Sequence, residues 1–482
     1  MFMSRTAAAA LGACLFALAT PAHADAASEL DEVKSQLAEL RQAYEARLQA
    51  LEKRIAELQA QPSAAPSAMP AAAAAPAAPL AASATAAPAA PPPPGTTATT
   101  AANALNPAMS LILAGTYANF SRDPANYRLQ GFIPPSGDIG PGRRGFSIAE
   151  SELGLSASID PTFAGQLTAS FGADNSVGVE EAWFQSNGLL EGGNLRVGRF
   201  LSGIGYLNEH HAHAWDFVDA PLVYQAFFGG QVRTDGLQMR WVAPVDRFVE
   251  LGAEIGSSDA ASTSGRNGIG SAALFAHVGD DIGESASWRA GISVLGRRGD
   301  DRRYDDVNAA GTPVSNEFHG SSRAWGVDGI YKWAPGGNPG RQNLVVQGEY
   351  FERRERGSLA YDTLAAAGTT TTGDYHATQS GWYLQAAYQF MPRWRFGARY
   401  DRLDSGSPRI GQVESGIQSA ADFPLLRSAR PSRTTLMFDF SPSEFSRFRL
   451  QLGADRSDPA FTDRQIFLQY IMSLGAHGAH TF

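Results

Sequence analysis

The 482-residue sequence predicts an all-β fold: a transmembrane antiparallel β-barrel of about sixteen strands, preceded by an N-terminal coiled-coil helix. Three observations predict it. The first is the stretch Ile-Phe-Leu-Gln-Tyr-Ile-Met-Ser-Leu from Ile466, where Ile466, Leu468, Tyr470, Met472 and Leu474 are all apolar. A period of two marks a strand with one apolar face. In lipid such a strand must belong to a closed barrel, because its N–H and C=O groups find no water there. The second is recurrence. Sixteen such segments begin near Leu111, Phe146, Phe163, Val177, Leu195, Leu237, Phe248, Ser271, Trp288, Ala324, Leu344, Trp382, Trp394, Thr434, Phe445 and Ile466, roughly one per 23 residues. The third is that no run of about 20 apolar residues lies beyond the N-terminus, which excludes helical spans. A mean hydropathy of -0.20 fits a barrel whose inward residues are polar. The formal net charge of -9 argues against a nucleic-acid partner.

In chain order, residues 1–24 read as a secretory signal, with Arg5 at the positive end, an apolar stretch from Ala7 to Ala19, and Ala22-His23-Ala24 as the cleavage site. Leu11-Gly12-Ala13-Cys14 offers a competing lipoprotein signal. Cys14 is the single cysteine, so the mature chain carries no disulfide. Residues 25–60 hold a periplasmic helix with coiled-coil spacing. Leu30, Val33, Leu37, Leu40 and Tyr44 step by three and four, and Leu48, Leu51, Ile55 and Leu58 resume after a stutter. Self-association through residues 30–58 is the expected use, with a homotrimer fitting porin habits; a solvated helix touching the cell wall is the alternative. Residues 61–105 are Ala/Pro-rich, including Pro91 to Pro94, and read as an extended linker without a core.

The barrel is expected over residues 106–482. Its connections alternate. Asp160-Pro161-Thr162, Pro244-Val245-Asp246, Asp281 to Ser285, Met391-Pro392-Arg393 and Ser441-Pro442-Ser443 are tight turns, whereas 122–145, 202–235, 298–322, 356–380 and 403–431 are long. Short turns on one side and long loops on the other is the outer-membrane arrangement, and even parity puts both barrel ends in the periplasm. Trp394, Phe396, Ala398 and Tyr400 share one face and Arg395, Arg399 and Asp401 the other; Phe448, Leu450 and Leu452 oppose Arg447, Arg449 and Gln451. An Arg toward lipid costs about 2–4 kcal/mol at mid-bilayer, so the charged face is the lumen. The expected lining is Glu150, Glu152, Arg196, Arg240, Glu250, Glu254, Arg395, Arg399, Arg447 and Arg449, and so many charges predict a wet bore. Acids on early strands and arginines on late ones either set a transverse field that sorts solutes or pair with one another.

The third outside loop, 202–235, carries Glu209, His210, His211, His213, Asp216 and Asp219, a donor set suited to a borderline metal such as Zn²⁺. The alternative is histidines bonded within a constriction loop packed by Trp215, Phe217, Tyr224, Phe227 and Phe228. His477 and His480 lie at the other barrel end, and His277, His319 and His376 have no evident catalytic partners in sequence. No Gly-x-Ser-x-Gly, phosphate loop or His-Glu-x-x-His is present, so no enzyme is expected and no cofactor required.

Several stretches carry a resemblance: Asn106-Pro107-Ala108, Gly198-Arg199-Phe200, Asn208-Glu209-His210-His211-Ala212-His213-Ala214-Trp215-Asp216-Phe217-Val218-Asp219-Ala220-Pro221-Leu222, and Gln469 through His480. With these the chain resembles proteobacterial outer-membrane proteins described as zinc-regulated or TonB-dependent-receptor-like. More loosely, helix, spacer and barrel together resemble phosphate-selective porins. The first resemblance implies a link to zinc supply, the second passive solute flux. A terminal aromatic such as Phe482 resembles the signal read by the barrel-insertion machinery. A TonB-dependent receptor has a folded plug and about 22 strands; the roughly 377 residues after the linker suffice for about sixteen strands and no plug domain. The expectation is therefore a porin-like channel in the outer membrane of a Gram-negative bacterium. It would pass small hydrophilic solutes and be linked to zinc through the histidine loop. The alternatives are a non-conducting surface metal- or ligand-binding barrel and a cell-wall tether.

Overall fold

The computed structural model describes residues 107–135, 139–148, 151–173, 176–258, 269–298 and 301–475. The expected signal, helix and linker, Glu150, His477, His480 and Phe482 lie outside the described residues. Within them the chain forms sixteen barrel strands, three of them interrupted. These are β1 (Ala108–Phe120), β2 (Gly145–Ser147 and Ser151–Ser158), β3 (Phe163–Phe171), β4 (Val177–Leu190), β5 (Gly193–Leu201), β6 (Arg233–Val242), β7 (Phe248–Ser258) and β8 (Ser271–Ile282). There follow β9 (Ala286–Arg298 and Arg302–Val307), β10 (Pro313–Trp333), β11 (Asn343–Tyr361), β12 (Thr371–Met391), β13 (Trp394–Asp404 and Arg409–Ile410), β14 (Ser432–Ser443), β15 (Ser446–Arg456) and β16 (Asp463–Gly475). Each pairs antiparallel with its sequence neighbours, and β1 pairs with β16 from Ser110↔Gly475 to Phe120↔Gln465. That last ladder closes the barrel and leaves no edge.

The strand faces follow from the alternation. Trp325, Val327, Phe396, Tyr400, Phe448, Leu450, Leu452, Ile466, Leu468 and Leu474 all project outward and are exposed, forming the apolar band a bilayer requires. Asp328, Arg399, Asp401, Arg449, Gln451 and Asp455 alternate with them and are buried inside. Two long connections expected at 298–322 and 356–380 are largely strand. β9–β10 and β11–β12 continue their ladders beyond the apolar band, with Arg302↔Phe318 and Tyr361↔Thr371 as pairs. Alternating polar residues there satisfy the ladder in water as well as in lipid, so loop composition gave no warning.

The interior is not the wet bore the charges predict. The long connection from β5 to β6 folds inward, and it carries helix α1 (Leu222–Phe228), every residue of which is buried. Leu222, Val223, Tyr224, Phe227 and Phe228 pack with Phe351, Tyr383, Leu403, Ala273 and Leu295 of the wall and with Leu129 and Phe132 of the β1–β2 connection. The wall makes room for the helix at Gly381 of β12, where an added Cβ would stand 2.9 Å from the Val223 side chain. Gly229 ends α1 in the left-handed region at φ 71°, and its N–H donates to the Tyr224 carbonyl. An apolar helix inside a polar bore is stable because it buries apolar area on its own account, about 25 cal/mol per Å².

Candidate functional site

The inward loop, residues 202–232, is stapled at its neck. Asn208 Nδ2 donates to the carbonyls of Ser202 (2.7 Å) and Val232 (3.0 Å), and Asn208 Oδ1 accepts from the Val232 N–H at 2.7 Å. The wall then holds the loop by charge of two signs. Carboxylates take its N–H and O–H groups. Glu254 accepts from Ser202 Oγ (2.6 Å) and from the Gly203 N–H (2.8 Å). Glu349 accepts from the Leu207 N–H (2.8 Å) and from Tyr224 Oη (2.7 Å), and Asp401 accepts the Leu222 N–H at the start of α1 (3.0 Å). Arginines take its carbonyls. Arg447 donates to His213 (2.7 Å), Arg449 to Trp215 (3.0 Å), Arg433 to Ala220 (2.6 Å) and Arg353 to Ala226 (3.1 Å). The wall therefore grips one loop with acids at its donors and arginines at its acceptors, and both signs come from the late strands too, Glu349 and Arg353 on β11 and Asp401 on β13, so the expected division into early acids and late arginines does not describe the grip.

Each expected lining residue among those described faces the interior. Glu152, Glu250, Glu254, Arg399 and Arg449 are buried there, while Arg196, Arg240, Arg395 and Arg447 remain partly open. The six expected metal donors do not gather. His210 turns its Nδ1 to the Tyr206 carbonyl at 2.9 Å, and burial depresses its pKa more than the Glu209 charge raises it. Glu209 pairs with Arg240 (3.0 Å) and Arg289 (3.6 Å), Asp216 with Arg395 (2.8 Å), and Asp219 with Arg433 (2.5 Å) and Arg399 (2.9 Å). A guanidinium already neutralises each of these carboxylates, and a metal would have to displace it.

His211 and His213 do come together, and they meet carboxylates that the spacing did not suggest. His211 Nδ1 lies 3.0 Å from Glu180 and 3.4 Å from Glu152, and its Nε2 lies 3.0 Å from Glu181. His213 Nδ1 lies 2.7 Å from Glu152, with its ring stacked 5.7 Å from that of His211. Donor atoms of Glu152, Glu180 and His211 all fall within 4.8 Å of one another. Consecutive glutamates should point to opposite faces of a strand. Here the register slips, Thr168 opposing Glu181 while Ala169 opposes Val179, so Glu180 is an inserted bulge residue and turns toward the loop. That is why the sequence hid the site: Glu180 carried the wrong parity for the lumen, and Glu181 sat beside it in a strand whose face was not assigned.

Burial opposes a charge on His211, but hydrogen bonds to Glu180 and Glu181 outweigh it, so its pKa stands well above the ordinary histidine value. With a carboxylate at each ring nitrogen, His211 donates twice and is an imidazolium. Three glutamates around it leave the cluster short of positive charge, with Arg233 on Glu180 at 2.7 Å as a further cation. Carboxylate and imidazole donors of this kind fit Zn²⁺. A second convergence, Glu209, Glu250 and His277, already holds Arg240 and Arg289 and fits a metal less well.

Comparison with known proteins adds one decisive match. An uncharacterized protein of Aquifex aeolicus (strain VF5) is 30% identical over 362 residues, spanning 70% of this chain and 71% of that protein. The chain belongs to the family of that protein. No protein-family model matches it. Among solved structures, the trimer form of Vibrio cholerae OmpT, an outer membrane protein, is similar at TM-score 0.45 and 9% identity, over 76% of this chain and 98% of that one. The outer membrane channel DcaP of Acinetobacter baumannii gives 0.44 and 12%, over 76% and 96%, and Pseudomonas putida OprB 0.42 and 15%, over 77% and 94%.

Proposed function

We propose that this protein is a porin-like channel of a Gram-negative outer membrane, passing small hydrophilic solutes past an inward loop. A divalent cation such as Zn²⁺ would steady that loop at His211. The observation that carries the reading is the loop's asymmetry. Helix α1 is buried against the wall of β8–β13, while His211 keeps 20% and Arg233 29% of their side-chain surfaces open. Water reaches the histidine edge of the loop, and the solute path runs there. In the metal-bound form Glu152, Glu180 and His211 Nδ1 would be the ligands. Glu181 would accept from His211 Nε2–H and fix the ring, and His213 would stand beside Glu152. The helix over residues 30–58 would assemble a homotrimer on the periplasmic side, and Phe482 would serve barrel insertion.

A second reading, a non-conducting metal- or ligand-binding barrel, is favoured by the number of wall strands the loop engages, from Glu152 on β2 to Gln451 on β15. Planar-bilayer recordings with and without micromolar Zn²⁺ separate the two. Steps that zinc modulates in the parent, and no longer in His211→Ala, support the channel and its metal. Steps indifferent to zinc remove the metal. Folded protein without steps, still binding zinc, establishes the second reading.

A further inference from the structure

The outer face of the barrel carries a basic patch that neither the inward loop nor the channel reading uses. Trp325 on β10, Tyr350 on β11 and Trp382 on β12 face outward together, with Val327↔Tyr350 and Tyr350↔Trp382 as ladder pairs and the Trp325 and Tyr350 rings 5.6 Å apart. Tryptophan and tyrosine so placed mark the depth of lipid head groups. Both β10 and β11 continue past this girdle towards the long connections. The outward positions that follow are Arg323 on β10 and Glu352, Arg354 and Arg356 on β11, and all three arginines are exposed.

The three arginines are crowded by the ladder itself. Arg323 and Arg354 are direct partners, and Arg356 is the diagonal neighbour of Arg323. Like charges directly opposite one another, with Cβ atoms about 4.5–5.5 Å apart, destabilise a sheet. One carboxylate answers them: Glu352 accepts from Arg354 at 3.0 Å. Among the described residues Arg323 and Arg356 make no ion pair. Further acids, Glu317 on β10 and Asp374 on β12, stand farther out along the strands, and Glu317 is taken by Arg303 at 3.2 Å. Charge is thus sorted by height, basic next to the girdle and mixed beyond it. Beside the patch the girdle opens into a cleft of about 310 Å³, lined by Tyr350, Trp382 and Arg402 among others. Aromatic walls below and guanidinium groups above match the junction between an acyl chain and a phosphate, whose oxygens suit the guanidinium fork.

We propose that this patch docks a membrane lipid with a phosphate-monoester head group, the phosphate among Arg323, Arg354 and Arg356 and the top of an acyl chain against Tyr350 and Trp382. The occupant is a lipid because the apolar band lies directly beneath the patch on the same strands, so head groups stand at this depth. The bound phosphate offsets the repulsion that the ladder imposes on the arginines. Lipid preference is read without conduction or zinc, so this proposal and the channel reading can fail separately.

The folded full chain is placed in phosphatidylcholine bilayers that contain dibrominated phosphatidate or, in parallel, dibrominated phosphatidylcholine. Quenching of tryptophan fluorescence gives the relative affinity of the two lipids for the barrel surface, with Trp325 and Trp382 reporting from beneath the patch. The parent is expected to prefer phosphatidate about fivefold, the size of one arginine's attraction to an anionic lipid surface. Arg323→Gln combined with Arg356→Gln should bring the ratio close to one; both side chains are exposed, and heat-shifted gel mobility checks the fold. Glu352→Gln removes the anion that competes for Arg354 and should raise the preference, a gain that misfolding cannot produce. Arg303→Gln, farther out, should leave the ratio at the parent's value. A parent ratio of one, an unchanged ratio in the double variant, a Glu352→Gln ratio no higher than the parent's, or an equal loss in Arg303→Gln would overturn the proposal. So would a preference that inorganic phosphate abolishes at matched ionic strength, which would make this a site for free phosphate.

Discussion

Arg433 on β14 keeps 1% of its surface, with Asp219, Asp401 and Asp455 at 2.5, 3.5 and 3.8 Å. A cation so enclosed is held by its partners, and they by it. Arg433→Met should destabilise the protein by about 3–5 kcal/mol, since three carboxylates lose their shared counter-charge; urea unfolding followed by tryptophan fluorescence measures it. Asp219 is the loop's member of this set. Burial would raise its pKa, but Arg433 and Arg399 outweigh that and hold it below the ordinary carboxylate value. A depressed folded pKa gives stability that is present above the unfolded pKa of about 3.9 and lost as the pH falls through the lower folded value. The stability difference between parent and Asp219→Asn should therefore stay constant from pH 7 to about 4 and shrink below that. A difference already shrinking at pH 6 would contradict this assignment.

At the scale of single elements, β4 and α1 do the unusual work. The bulge in β4 adds one residue, Glu180, and so delivers two neighbouring glutamates to one histidine. Deleting Glu180 should restore plain alternation without breaking the ladder to β3. The barrel should fold, as judged by heat-shifted gel mobility, while its zinc response falls to that of His211→Ala. A deletion variant that keeps the parent's zinc response would remove Glu180 from the site. Helix α1 is short and would be marginal alone in water. It persists because Asp401 takes its first N–H, Arg353 takes a carbonyl near its end, and its side chains have no exposed face.

For the molecule as a whole, barrel and loop are separable. Among the described residues no ladder pair, at the β1–β16 closure or between any other neighbouring strands, involves residues 206–230. The neck holds the ends of β5 and β6 together, the Ser202 N–H donating to the Val232 carbonyl at 3.0 Å, so a short linker can span the gap. Replacing residues 206–230 with a few glycines should leave the strand content by circular dichroism unchanged and raise single-channel conductance several-fold. Unchanged conductance in a folded variant would mean that the loop does not limit the path.

The alternation in segments such as 394–401, 448–452 and 466–474 determined the strand count, the lipid face and the inward charges, because membrane and lumen impose a two-residue period on local sequence. The histidine loop was legible too, as an unusual donor cluster in a long connection. Its aromatics, Trp215, Phe217, Tyr224, Phe227 and Phe228, also offer a constriction loop as the alternative, but what they pack against is not legible in the sequence. Whether Leu222 to Phe228 packs inside, or caps the barrel, depends on Gly381, Phe351 and Leu403, each more than 100 residues away. Which histidines find carboxylates depends on a one-residue slip at Glu180, and Glu209, Asp216 and Asp219 are claimed by arginines on distant strands. Periodicity is a local signal, whereas charge pairing and packing are contacts between residues remote in sequence, and only the closed barrel brings those residues within reach of one another.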